Sequence, residues 1–145
     1  MISEKAKQLA VKTLYEDACA CVIVSNDGEM HRFFGRGVSD LFQILNSNAT
    51  ILKDAFIADK VVGKGAAALM ILGGVNEVFT GMISVPAFEL LNKSSIKVNF
   101  REKVDAIINR TGTGPCPVEA LCKDCGTADQ CLPLISNFLA SLQDR

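Results

Sequence analysis

From Gly65 to Val75 the chain carries no charged side chain, and the segment leading to Leu72 is apolar almost all the way round a helix. A helix without a polar face belongs inside a protein. This run is also too short to cross a bilayer, which takes about 20 consecutive apolar residues. The chain is therefore expected to fold around a central buried helix, opening at Asp59 as its cap with Lys60 in the first turn and stopping at Gly73-Gly74. Gly63 and Gly65 lower helix propensity near its start, and close approach of another backbone would explain them. Lys64 lies between them, and a buried lysine must be paired or lose its charge.

The flanking patterns supply layers to bury that helix. Ile2, Ala6, Leu9, Ala10 and Leu14 recur at helical spacing, so residues 2–15 read as an amphipathic helix. Ala18 to Ser25 is a continuous apolar run typical of an inner strand. Asn26-Asp27-Gly28 is a hairpin turn signal, followed by a returning strand from Met30 to Phe34 that Gly35-Arg36-Gly37 ends. Val38, Leu41, Phe42 and Leu45 mark a second helix. Residues 49–57 fit a short strand ending near Ala58. Val75 to Ile83 reads as a strand, Ser84-Val85-Pro86 as the start of a helix to Leu91, and Ile96 to Phe100 as a strand. Val104 to Ile108 is expected to be a last strand, before a Thr111–Pro115 loop, a short helix from Pro117 and a final helix carrying Ile135, Phe138, Leu139 and Leu142. Strands alternating with helices predict an α/β fold with a mixed sheet and helices on both faces. No linker or repeat divides residues 1–145, so one domain is expected.

A net charge of -1 and the lack of a basic stripe argue against nucleic acid as a partner. No apolar segment suits a membrane anchor, and Met1 to Tyr15 mixes Glu4, Lys5, Lys7 and Lys12 with apolar residues, unlike a secretion signal. A cytoplasmic location is expected. In that compartment six cysteines are thiols or metal ligands rather than disulfides.

The chemistry-bearing segment runs from Asn109 to Cys131. Pro117 favours the first helical position, which makes Cys116 the expected N-cap. A thiol there would meet unpaired N–H groups and the positive end of a helix dipole, both of which favour the thiolate. Glu119 stands one turn on, within reach of the cap. Cys116, Cys122, Cys125 and Cys131 give C-x5-C-x2-C-x5-C, a candidate site for zinc or an iron–sulfur cluster. The alternative is four reduced thiols buried beneath the last helix. Cys19 and Cys21 alternate in the first strand and read as core filler, and His31 as a surface residue. Lys60, Lys64, Asn109 and Arg110 are the candidate ligand-binding residues, with Asp59, Cys116 and Glu119 as candidates at the reactive end.

Asp59-Lys60-Val61-Val62-Gly63-Lys64-Gly65-Ala66-Ala67 and Asn109-Arg110-Thr111-Gly112-Thr113-Gly114-Pro115-Cys116-Pro117-Val118-Glu119 resemble a family of uncharacterised small prokaryotic proteins, a domain of unknown function with a cytidine deaminase-like fold. The resemblance covers most of the chain. It implies a three-layer α/β/α sandwich with a mixed sheet and no established activity. Zinc deaminases place H-x-E on one helix start and P-C-x-x-C on another. Here the second pattern becomes Pro115-Cys116-Pro117-Val118-Glu119, with Glu where the second Cys would stand, and the Asp59 turn offers neither His nor Glu. Hydrolytic deamination is therefore not expected.

Two functional readings result. One is a deaminase-like pocket for a small anionic or nucleotide-like ligand. The other is a metal- or redox-sensing module built on the C-terminal cysteines. An interaction protein whose Ala- and Gly-rich helices pack against another copy in a homo-oligomer is a third and plainer reading.

Overall fold

The computed structural model describes residues 2–35, 37–108, 112, 114 and 116–143. Helix α1 (Glu4–Glu16) leads into a hairpin of β1 (Cys21–Val24) and β2 (Met30–Phe33). Helix α2 (Gly37–Ser47) and a 3-10 turn (Ala49–Ile51) come next. Then come β3 (Phe56–Val62), α3 (Lys64–Gly73), β4 (Glu77–Ser84), α4 (Val85–Asn92) and β5 (Lys97–Val104). Two C-terminal helices, α5 (Pro117–Leu121) and α6 (Ala128–Gln143), complete the described chain. The five strands form one mixed sheet in the order β2-β1-β3-β4-β5. Strand β1 runs antiparallel to both neighbours, whereas β3, β4 and β5 are mutually parallel and joined through α3 and α4.

Helices cover both faces. Ala10 and Leu14 of α1 pack on Val22, Val24, Phe56 and Ala58. The opposite face carries the larger core, in which Cys21, Ile23, Ile57, Val78 and Ile83 meet α2, α3, α4 and α6. The all-apolar helix is α3, and it contacts α2, α4, α5, α6 and β3. Ala66, Ala67, Ala68, Leu69 and Met70 are buried on every side. A fully buried side chain such as Leu69 contributes about 1.5–3 kcal/mol, while the small alanines let neighbouring helices approach. Gly65 marks the tightest approach: an added Cβ would collide with Cγ1 of Val118 in α5. At the other end Gly74 closes the helix in the left-handed conformation, with φ of 78°.

Three local expectations are corrected. Asp59 and Lys60 do not start the buried helix, because β3 continues to Val62 and the helix N-cap is Gly63. The cause is pairing: Asp59 is held between Cys21 of β1 and Thr80 of β4, and the β-branched Val61 and Val62 prolong the strand. Residues 49–51 form a 3-10 turn, so the strand expected from Ala49 begins only at Phe56. Val104 closes β5 rather than opening a further strand, since Lys97 to Val104 pairs along β4.

Candidate functional site

The parallel strands β3, β4 and β5 all end on one side of the sheet, and the carboxyl end of an open α/β sheet is where ligand crevices form. Glu119 reaches this edge from α5, with only 7% of its surface exposed. Its Oε2 accepts the N–H of Lys64 at 2.8 Å and the hydroxyl of Ser84 at 2.6 Å, while Oε1 accepts the N–H of Ile107 at 2.8 Å. Ser84 is also the N-cap of α4, its Oγ accepting the N–H of Ala87 at 3.1 Å. One carboxylate thus caps α3, anchors the cap of α4 and fixes the segment after β5. Gly63 leaves room beside it, since a Cβ there would stand a tight 3.0 Å from Oε2.

Lys64 completes the attachment of α5. Its Nζ donates to the carbonyls of Lys123 at 3.1 Å and Cys125 at 2.6 Å. The lysine that sequence places inside an apolar helix is therefore partnered by main-chain acceptors just beyond α5. The thiols of Cys122, Cys125 and Cys131 lie together in this region. Burial pushes both Cys122 and Cys131 up from the ordinary thiol range, and the neighbouring sulfur atoms push Cys131 further. Cys116 stands at the other end of α5 as its N-cap residue, with no side-chain bond to the helix N–H groups. Among the described residues no group of three or more Cys, His, Asp or Glu is arranged to hold a metal ion.

Asp59 occupies the middle strand of the sheet, with 3% of its surface exposed. Oδ1 accepts a long bond, 3.4 Å, from the N–H of Val61, and Oδ2 is buried with no hydrogen-bond partner. Its cross-strand neighbour Cys21 points to the same face. Asp40, in the first turn of α2, has a second buried oxygen without a partner. Burial pushes the Asp59 carboxyl up to about 7, against the opposing pull of the Val61 and Lys60 N–H groups, and the Asp40 charge adds to the rise. Burial also raises Asp40, opposed by the N–H of Gly35. Cys21 is raised by burial first and then by the charges of Asp59 and Asp40.

The expected grouping of Asp59, Lys60, Lys64, Cys116 and Glu119 into one charged pocket is therefore divided. Lys60 alternates with Asp59 along β3 and lies near Cys19, which belongs to the α1 face. Lys64 and Glu119 spend their polar atoms on the joints between α3, α4 and α5. Asn109 and Arg110 lie outside the described residues. His31 is half-buried in β2, with Nε2 3.5 Å from Oγ of Ser25, so it is not a plain surface residue. An open groove of about 300 Å³, lined by Lys7, Phe56, Glu77 and Asn99, sits on the α1 side where β4 begins, away from Glu119. The residue patterns do not single out Ile107 and Asp40, and they read Ser84 only as a helix start and Cys21 only as core filler. Only the placement of Glu119 among Val118, Ala120 and Leu121 hints at its burial.

Over residues 9–139 the sequence matches the family described as TM1506, domain of unknown function DUF1893. A crystal structure of a DUF1893 family protein, TM1506 from Thermotoga maritima, superposes with a TM-score of 0.84 at 19% identity. The match covers 94% of this chain and 92% of that one. No curated protein matches. Among the described residues no helix is long and apolar enough to cross a membrane.

The state of Asp59 gives a signed expectation. Its folded value of about 7 lies above the ordinary carboxyl value of 3.8, so the folded protein holds a proton that the unfolded chain releases. Stability should fall as pH rises from about 4 to about 7, the direction linkage requires when the native state binds more protons. Asp59→Asn removes this loss. Urea unfolding at pH 5 and pH 8 should show the variant gaining on the wild type, on the order of a few kcal/mol at pH 8. A constant difference between the two proteins across that range would mean that Asp59 titrates normally.

Proposed function

The chain belongs to the DUF1893 family, a domain of unknown function, and from that premise we propose that it is a small-molecule-binding domain of cytidine deaminase-like architecture without hydrolytic deaminase activity. The observation that carries this reading is Asp59, a carboxyl buried in the central strand with one oxygen left without a partner. Buried polar groups are almost always satisfied, and a buried carboxyl left without a partner in an open α/β sheet is a candidate for a binding site. The element order supports the architecture: a hairpin, then α2, then parallel strands alternating with α3 and α4. The ligand is a small, nucleotide-like molecule. Its polar ring edge would meet Asp59, and its anionic end is assigned to Asn109 and Arg110 on sequence alone.

Zinc chemistry does not fit these residues. The helices that follow β2 and β3 begin Gly37-Val38-Ser39-Asp40 and Lys64-Gly65-Ala66-Ala67, with neither His nor Cys. Cys116 begins α5, after β5, and Glu119 at the place of a second thiol already accepts three hydrogen bonds. Hydrolytic deamination needs a metal-bound hydroxide and a carboxylate free to move protons.

The neighbouring Cys122, Cys125 and Cys131 thiols favour a second reading, redox sensing. Joining two of them gives up two protons and two electrons to an oxidant such as a peroxide. The metal form of this reading requires a fourth ligand, and Cys116 is at the far end of α5 from the other three.

Thermal unfolding in metal-free buffer with nucleosides, nucleotides and phosphorylated metabolites tests the first reading. At least one should raise the melting temperature, as any ligand of the folded state must, and none of cytidine, deoxycytidine, adenosine or guanine should release ammonia. A panel without effect, or steady ammonia release, would overturn it. Peroxide treatment followed by peptide mapping tests the second. A disulfide within the Cys122, Cys125 and Cys131 group supports redox sensing, and three thiols that stay free exclude it.

A further inference from the structure

We propose that the sheet face beside α1 carries a binding site for a small phosphate ester with a flat ring, the ring seated over Phe79 and the phosphate held by Arg101 and Lys60. Helix α1 packs on β1 and β3. Beyond it lies the open groove of about 300 Å³, with Val11 of α1 on one side, Asn99 of the edge strand β5 on the other and Phe79 of β4 in its floor. At one end Glu77 is buried and fixed through both oxygens. Oε1 accepts Nζ of Lys7 at 2.8 Å, and Oε2 accepts Nδ2 of Asn99 at 3.3 Å. The Asn99 carboxamide is thereby held in place. Among the described residues its carbonyl and its second N–H are unused, so it can meet the donor and acceptor edge of a ring.

The other end is cationic. The guanidinium of Arg101 lies 5.4 Å from the centre of the Phe79 ring and 4.7 Å from that of Tyr15, so the floor of the groove leads directly to it. Such stacking holds a guanidinium in place without neutralising its charge. Strand pairing sets Lys60, Gly81 and Arg101 abreast, since Asp59, Thr80 and Phe100 align before them and Val61, Met82 and Glu102 after them. Lys60 alternates with Phe56 and Ala58 onto the α1 face. Gly81 leaves the space between the two cations to the Tyr15 hydroxyl, which a Cβ there would approach to 2.6 Å. Among the described residues neither Arg101 nor Lys60 is ion-paired. Two cations and a phenol hydroxyl suit a phosphate dianion, and a guanidinium binds phosphate through paired N–H groups. Asn99 and Arg101, both exposed, stand two residues apart on one strand, about 6.6 Å, so one small molecule reaches both. This site goes beyond the Asp59 reading, because Asp59 pairs with Cys21 on the opposite face of the sheet.

The test follows the amide resonances of the isotope-labelled full chain during titration with phenyl phosphate and with AMP. Inorganic phosphate at matched ionic strength is the anion-only control. The expected result is a saturating shift at the amides of Phe79, Gly81 and Arg101 with at least one of the two esters, with affinity about tenfold or more above that for inorganic phosphate. Arg101→Gln should weaken this binding about tenfold or more, the loss of a charge-assisted contact. That side chain is exposed on an edge strand, so the variant folds. Asp59→Asn should leave the binding unchanged. No saturating shift at those amides with either ester, equal binding of inorganic phosphate, or unchanged binding by Arg101→Gln would overturn the proposal. Loss of the binding in Asp59→Asn would overturn it too and place the ligand at Asp59. Binding here, with no ligand affected by Asp59→Asn, would instead fail the Asp59 reading alone.

Discussion

The carboxylate of Glu119 is the joint on which the carboxyl edge of the sheet depends. Its two oxygens receive a helix N-terminal N–H from Lys64, a hydroxyl from Ser84 and a main-chain N–H from Ile107. Those donors come from the start of α3, the cap of α4 and the chain beyond β5, so one side chain ties together the segments that leave the three parallel strands. Its setting makes the bonds matter. In a buried location each of these donors would lose its water, and a donor left unmade costs about 1–3 kcal/mol. A negative group is also favoured at the N-terminus of α3, where the helix dipole adds to the hydrogen bond.

The same joint explains why α3 can be apolar all round. A buried helix still exposes unpaired N–H groups at its first turn, and here the partner must come from another element because the N-cap residue, Gly63, has no side chain. Gly63 and Gly65 make room for that partner: the first for the Glu119 oxygen, the second for Val118. Lys64 returns the connection by holding the carbonyls of Lys123 and Cys125. Charged residues of opposite sign are thus exchanged between α3 and α5, but each side chain is satisfied by main-chain or hydroxyl groups and not by the other's charged group. Asp59, in the middle of β3, remains a buried carboxyl that this network does not serve.

The layers are legible in the sequence because they rest on periodicity. The amphipathic α1, the hairpin at Asn26-Asp27-Gly28 and the buried α3 all follow from apolar spacing and turn residues, and the α/β sheet follows from their alternation. Boundaries set by tertiary pairing are not legible. Asp59 has the character of a helix cap because Asp caps helices often, yet cross-strand pairing with Cys21 and Thr80 keeps it in β3. Glu119 stands out as a residue of consequence, but the only partner its local sequence offers is the cap at Cys116. Its true partners, at positions 64, 84 and 107, lie in separate elements. Asp40 carries no signal at all, since an acidic residue in a first helical turn is ordinary; only the fold buries one of its oxygens without a partner.

Hydrogen exchange of individual amides tests the role of Glu119 most directly. The wild-type chain should protect the amides of Lys64 and Ile107 strongly. Glu119→Gln keeps the volume but can offer only one acceptor oxygen, so protection should fall at one or both of these amides while the central strands β3 and β4 stay protected. Unchanged protection at both positions would contradict the account, because the three elements would then be held in place without the carboxylate.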